Sequence, residues 1–147
     1  EVIFDIEADN LLPGITKIHC VSYNVLGKDE VRTLYDFKDI ESLFNQEGLL
    51  FIGHHIIGYD FKALEKIYGI KRPKYFLDTL AWSWYLFPDR AEHGLESWGE
   101  DFGIPKPKID NWQDSTIEEY THRCEEDVKI NTKLYQLVKT KMKEIYS

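Results

Sequence analysis

Three stretches of the chain place carboxylates where an apolar backbone would otherwise run. Asp5-Ile6-Glu7 follows Val2-Ile3-Phe4, and Asp60 closes the run Phe51-Ile52-Gly53-His54-His55-Ile56-Ile57-Gly58-Tyr59-Asp60. Asp127 lies in Tyr120-Thr121-His122-Arg123-Cys124-Glu125-Glu126-Asp127-Val128. In a strand, residues i and i+2 face the same side, so Asp5 and Glu7 project together. Two like charges side by side repel, and burying them unpaired is costly. A cation between them removes both penalties. Mg²⁺ suits such a site, because it takes oxygen ligands and is held by one or two carboxylates plus substrate phosphate. The tripeptide alone carries little, since Asp39-Ile40-Glu41 repeats its letters. There Asp39 reads as a helix N-cap, with Glu41 in the first turn.

Asp60 stands where an apolar strand passes through a glycine-bearing turn into a helix. Chemistry collects at such places, and a plain helix cap also fits there. A helix advances about 100° per residue, which puts Tyr120, Arg123 and Cys124 on the face of Asp127 and turns His122 away from it. Glu125 and Glu126 mostly leave that face and read as solvated charges. Arg123 and Asp127 are also spaced for an ordinary i, i+4 ion pair. His54, His55 and His93 lack Cys or His partners at metal spacing, so they read as loop or core histidines rather than zinc ligands.

The elements that must carry these groups can be read from periodicity and turn chemistry. Val2 to Glu7, Lys17 to Val25 and Val31 to Asp36 read as strands, with Leu26-Gly27-Lys28-Asp29 as a hairpin connection. Ile40, Leu43 and Phe44 form the apolar face of a short helix opened by Asp39. Leu49 to Ile52 is a compact apolar run suited to a buried, parallel strand. Further helices cover Ala63, Leu64 and Ile67 up to Gly69, Leu80 to Leu86 before Pro88, and Leu95 to Phe102 before Gly103. Gly103 to Pro107 is a loop. Thr116 with Glu119 makes a capping box for a final helix that already includes His122. Trp82, Trp84 and Trp98 are assigned to core packing, and Trp112, in a loop, is open to base stacking.

At 147 residues, with 43% hydrophobic and 14% aromatic content, the chain suits one folded domain, residues 1–147. It has no apolar run long enough to cross a membrane. Cys20 and Cys124 form neither a zinc pattern nor a disulfide framework and are expected to be buried thiols in an intracellular setting. The chain opens on Glu1 rather than Met, which points to a fragment or a processed chain. A net charge of −8 argues against a general nucleic-acid binder and fits acidic groups that hold cations, or a partner that supplies affinity.

Together these segments resemble the DEDD superfamily of 3′→5′ exonucleases, above all the proofreading exonuclease domain of family A DNA polymerases from short-tailed phages. The first motif matches as Phe4-Asp5-Ile6-Glu7-Ala8-Asp9-Asn10-Leu11-Leu12, followed by Thr16-Lys17-Ile18-His19-Cys20. The second matches as Gly53 to Asp60, with Asp78-Thr79-Leu80 where the family often has the same pair. His93-Gly94-Leu95-Glu96-Ser97-Trp98-Gly99 resembles the segment before the third motif, which ends in Asp127. The five ordered segments cover essentially the whole chain. Two departures stand out. His55 replaces a usual Asn, at a position expected to order the loop and touch substrate. Arg123 stands four residues before Asp127, where one subfamily has Tyr, while His122 fits the five-residue count of the other.

The resemblance implies an α/β, RNase H-like fold: a mixed central sheet flanked by helices. It implies Asp5, Glu7, Asp60 and Asp127 as ligands of two divalent cations, Mg²⁺ or Mn²⁺, clamping the terminal phosphodiester of a DNA 3′ end. One ion would activate water and the other would stabilise the leaving 3′-oxygen. Asp5 would bridge the two, and either His122 or Arg123 would be the fifth catalytic residue; Arg cannot act as a base. The setting implied is intracellular and cytoplasmic, the bacterial host cytoplasm if the chain is of phage origin, and the partner a polymerase domain, covalently linked or associated. Two such ions would bring the −8 chain only to −4, so a polymerase, or a basic patch including Lys106, Lys108 and Arg123, is expected to supply DNA affinity. An inactive exonuclease-like module that supports a polymerase or binds nucleic-acid ends is the competing expectation.

Overall fold

The computed structural model of the chain describes residues 1–107 and 115–146. Strand β1 (Val2–Ala8) alternates between two buried environments. Val2, Phe4 and Ile6 enter one core, whereas Ile3 enters a second core on the opposite face of the sheet. By the same two-residue period, Asp5 and Glu7 fall on the Ile3 face. That parity decides which helix they meet.

β1 is the centre of a five-stranded sheet. It pairs antiparallel with β2 (Ile18–Val25), Glu7 lying opposite Cys20, and parallel with β4 (Phe51–Gly53), Val2 lying opposite Phe51. β3 (Arg32–Leu34) extends β2 antiparallel, and β5 (Phe76–Asp78) extends β4 parallel. The sheet order is β3-β2-β1-β4-β5, so it is mixed as expected. The helices are α1 (Phe37–Phe44), α2 (Phe61–Tyr68), α3 (Thr79–Leu86), α4 (Leu95–Phe102) and α5 (Ile117–Tyr146).

Helices α1 and α2 cover the Phe4 face through Ile40, Phe44, Phe61 and Leu64. The Phe4 ring there is 1% exposed and meets the rings of Phe44, Phe51 and Phe61 at centroid distances of 5.0, 6.1 and 5.9 Å. Burying one such ring contributes about 1.5–3 kcal/mol. The 30-residue α5 covers the Ile3 face through Val128 and Tyr135. Its Ile130, Leu134 and Val138 turn the other way and bury Trp98 of α4 and Leu86 of α3. Asp127 precedes Val128, at the place where α5 lies over β1.

Several expectations need correction. Asp36, not Asp39, caps α1: its carboxylate accepts the Asp39 N–H at 2.9 Å, which puts Asp39 inside the first turn. The third strand is shorter than Val31 to Asp36, because Asp36 is already committed to that cap. β5 was not anticipated, being three residues between the basic run Lys71-Arg72-Pro73-Lys74 and α3. Trp84 is no core residue. It is 57% exposed, and its ring stacks on His93 at 3.9 Å. Glu125 is half-buried and accepts a bond from Thr33 Oγ1 at 2.6 Å instead of standing free in solvent. The capping box stands: the Glu119 N–H donates to Thr116 Oγ1 at 3.2 Å and the Thr116 N–H to Glu119 Oε1 at 3.4 Å. Lys108 and Trp112 lie outside the described residues.

Candidate active site

Asp5 and Glu7 meet Asp127 because α5 lies across the face of β1 to which they point. One ligand oxygen from each of the three lies within 4.8 Å of the others. Cys124, one helical turn before Asp127, fixes the crossing at close range: its thiol donates to the Asp5 carbonyl at 3.2 Å. It packs there with Cys20 and Tyr120, and both thiols are free and buried.

Asp60 lines the same cleft but stands outside this tight trio. A π-helical turn, Ile56–Asp60, delivers it, following His55 in the left-handed region at φ 65°. Two glycines make that turn possible. A Cβ on Gly53 would lie 2.2 Å from Ile56 Cγ2 and 3.3 Å from the Phe4 carbonyl oxygen, and one on Gly58 would lie 2.5 Å from the His55 ring. Asp60 occupies the N-cap position of α2 yet makes no side-chain cap bond, so it is not serving as a plain helix cap.

The cleft encloses about 620 Å³ and is lined by all four carboxylates, together with His54, His55, Tyr59, Lys106 and Arg123. Its electrostatics are strained toward protonation. Burial raises the Asp5 carboxyl well above the usual range, and the charges of Asp127, Asp60 and Glu7 raise it further. Burial and then Asp127 push Glu7 to about 7, against the pull of Arg123 and Lys106. Asp60 is raised by burial, Asp78 and Glu7; burial also raises Asp127, while Lys106 and Arg123 oppose the shift. Among the described residues, Asp5 Oδ2, Asp60 Oδ2 and Asp127 Oδ1 are buried without a hydrogen-bond partner. Buried acceptors left in that state cost about 1–3 kcal/mol each. An all-oxygen donor set with unsatisfied, mutually repelling carboxylates fits a hard divalent cation.

The structure separates the two candidates for the fifth position. Arg123 lines the cleft, its Nε 3.5 Å from Glu7 Oε1, and its Nη1 donates to the Pro107 carbonyl at 2.7 Å. That ion pair is with Glu7, across the cleft, rather than the i, i+4 pair with Asp127. His122 is exposed on the outer side of α5, beside Glu126 and Lys129. Lys106 contacts Asp127 Oδ1 at 3.5 Å, so the expected basic patch has two of its cations turned onto carboxylates. His55 is exposed, at the cleft edge. His54 is a satisfied histidine, facing Thr79 Oγ1 through Nδ1 at 2.9 Å and the His93 carbonyl through Nε2 at 2.8 Å, with burial pushing its pKa down to about 4. His93 bonds Ser83 Oγ through Nδ1 at 2.6 Å, but its buried Nε2 has no partner among the described residues.

No family model matches the chain, and no curated protein does. Solved structures do superimpose on it. Brucella melitensis NrnC with bound Mg²⁺ matches at a TM-score of 0.75 and 14% identity, over 97% of this chain and 73% of that one. The fold is the RNase H-like exonuclease fold. NrnC is also known bound to pGG, at the same TM-score of 0.75 and 16% identity, over 97% of this chain and 73% of that one. Escherichia coli RNase D, an exoribonuclease involved in structured RNA processing, matches at 0.70 and 13% identity, over 97% of this chain and 40% of that one. The family B DNA polymerase of Pyrobaculum calidifontis matches at 0.64 and 15% identity, over 93% of this chain and 24% of the polymerase.

The sequence carried no signal for the contact between Lys106 and Asp127, because the two are brought together only when the 103–107 loop folds against α5. Asp78 was visible as part of Asp78-Thr79-Leu80, but its bonds to the turn before Asp60 depend on β5, which three residues do not announce.

Proposed function

We propose that the chain is a metal-dependent 3′→5′ exonuclease that removes nucleotides from DNA ends by two-metal-ion phosphodiester hydrolysis. The observation that carries this reading is the buried trio of Asp5, Glu7 and Asp127, with ligand oxygens within 4.8 Å and Asp60 in the same cleft. Such a group is costly without cations and useful with them. Asp5, Glu7, Asp60 and Asp127 would hold the ions, Mg²⁺ or Mn²⁺. Bound there, such ions would supply Lewis acidity toward the phosphodiester and toward the attacking water. Arg123 is the fifth residue of choice: its guanidinium is fixed by Glu7 and Pro107, and it can orient a phosphate without exchanging protons. His55 would touch the departing nucleotide, a role supported by its exposure at the cleft edge.

The sequence likeness to proofreading domains, and the match of the fold to part of a family B DNA polymerase, support DNA 3′ ends as substrate and a polymerase as partner. We place the protein inside the cell, with its two buried free thiols. No helix among the described residues is long and apolar enough to cross a membrane. A second reading, exonuclease action on RNA, draws support from the likeness to RNase D and to NrnC bound to pGG.

Degradation of 5′-labelled single strands, DNA and RNA of one sequence, tests these readings. We expect a DNA ladder shortening from the 3′ end in Mg²⁺ or Mn²⁺, abolished by EDTA and by Asp5→Ala. Faster loss of RNA moves the assignment to the second reading. No cleavage of either strand, with metal binding intact, leaves a catalytically inactive module that binds ends.

A further inference from the structure

Beyond the carboxylates themselves, and resting on the metal-dependent reading above, Arg123 and Lys106, which face them, are held in different ways. Arg123 is anchored by Nη1 on the Pro107 carbonyl at 2.7 Å and by Nε beside Glu7 at 3.5 Å. Lys106 projects from Pro105-Lys106-Pro107, and its Nζ stands 3.5 Å from Asp127 Oδ1. That separation exceeds the roughly 2.7–3.2 Å of a good N–H···O bond. Asp127 Oδ1 correspondingly accepts no hydrogen bond among the described residues, although its side chain is only 5% exposed. The contact is therefore one of charge, without directional bonding to hold it. The Lys106 side chain keeps 21% of its exposure, and its charge also acts on Asp5 and Glu7.

A buried carboxylate oxygen with a nearby cation but no hydrogen bond is what an incoming metal ion needs. A lysine is also the cation best suited to leave, being a point charge on a flexible four-carbon stem. We propose that Lys106 is a displaceable counter-ion: its ammonium neutralises Asp127 in the metal-free protein and withdraws from it as a divalent cation enters. Because Lys106 lines the same cleft, the withdrawn ammonium remains in place to meet the phosphate of an arriving 3′ end. Metal loading thus releases a phosphate-binding group that was occupied until then.

The proposal makes Lys106 and the metal competitors for one oxygen, which can be measured without substrate. Calorimetric titration of the whole chain with Mn²⁺ and with Mg²⁺ is expected to give about threefold or greater tightening of metal binding in Lys106→Met, with Lys106→Arg close to wild type. Equal or weaker binding by Lys106→Met overturns the proposal and leaves the metal reading standing. Failure of the wild type to bind either ion overturns both. A second measurement needs no variant: acetylation of Lys106 by an activated acetate ester, followed by mass spectrometry, with and without saturating Mg²⁺. A displaced Lys106 side chain, attacking as its neutral amine with loss of a proton to solvent and of the ester's leaving group, should react about twofold faster or more in the presence of the ion. An unchanged or slower rate means that Lys106 does not move, and the proposal fails.

Discussion

The Asp78 carboxylate, at the end of β5, holds the backbone of Ile57 in the turn before Asp60: the Ile57 N–H donates to Asp78 Oδ2 at 3.1 Å. Asp78 Oδ1 takes the N–H of His55 at 2.8 Å and that of Leu80 at 2.9 Å. One buried side chain thereby caps α3 and also clamps the turn that delivers Asp60. Asn at this position can keep the Oδ1 bonds but presents an amide donor to the Ile57 N–H. We expect Asp78→Asn to leave the fold intact by circular dichroism, weaken metal binding about tenfold and lower kcat more than it raises KM. A variant with normal metal binding and normal kcat would show that Asp60 finds its place without this clamp.

Arg123 and His122 are adjacent in sequence, about 100° apart around α5, and line different surfaces. Replacing Arg123 with Ala should cost roughly 10²-fold or more in kcat/KM for end degradation, since it removes the fixed cation facing Glu7. His122→Ala should stay within about twofold of wild type, the usual fate of an exposed surface substitution. Guanidinium does not titrate in the working range. The pH profile of the wild type should therefore lack a step that His122→Ala removes. Steady-state assays on the two variants decide the matter, and a large loss in His122→Ala alone would reverse the assignment.

What could be read in advance follows from how local each signal is. α5 was legible because its apolar residues recur over 30 residues and its capping box sits four residues within view of one another. The pairing of Asp5 with Glu7 was legible because a two-residue period needs only β1. Helical arithmetic put Asp127 on one face with Tyr120, Arg123 and Cys124, whereas its meeting with Asp5 and Glu7 came only from the family resemblance. Other features depend on distant partners. Trp84 lies between the buried Ser83 and the exposed Tyr85, in a helix apolar on nearly all sides, so no periodicity told which face would be covered. Glu125 looked solvated because its acceptor role depends on Thr33, ninety-two positions away in the chain. The Asp60 turn is π-helical, a geometry that no spacing of apolar residues specifies.

On the proposed reading, Asp5 sets function against stability. Its carboxylate is raised by burial and by three neighbouring acids, and its Oδ2 has no partner among the described residues. Asn is nearly the same shape and carries no charge. Asp5→Asn should abolish end degradation while stabilising the metal-free protein by about 1–2 kcal/mol at pH 8. Urea unfolding with EDTA present checks this; a less stable Asp5→Asn would mean that the ionised carboxylate is paired in solution.

The same cluster fixes how stability depends on pH. Glu7 has an ordinary value of 4.5 that folding pushes to about 7, and Asp5, Asp60 and Asp127 are raised as well. Between those two values the folded chain binds more protons than the unfolded one, so the linkage slope is negative. The stability that protonated carboxyls contribute is complete below about pH 4.5 and is lost as pH rises through about 7. In EDTA, the melting temperature should therefore fall by about 5 °C or more between pH 5 and pH 8, the change that a few kcal/mol brings in a chain of this size. Divalent ions need the deprotonated ligands, so Mg²⁺ should raise the melting temperature strongly at pH 8 and little at pH 5. Thermal melts at the two pH values, with Mg²⁺ and with EDTA, give four numbers. A metal-free protein that gains stability from pH 5 to 8 would place the carboxylates in favourable ion pairs, with no need of a cation to hold them.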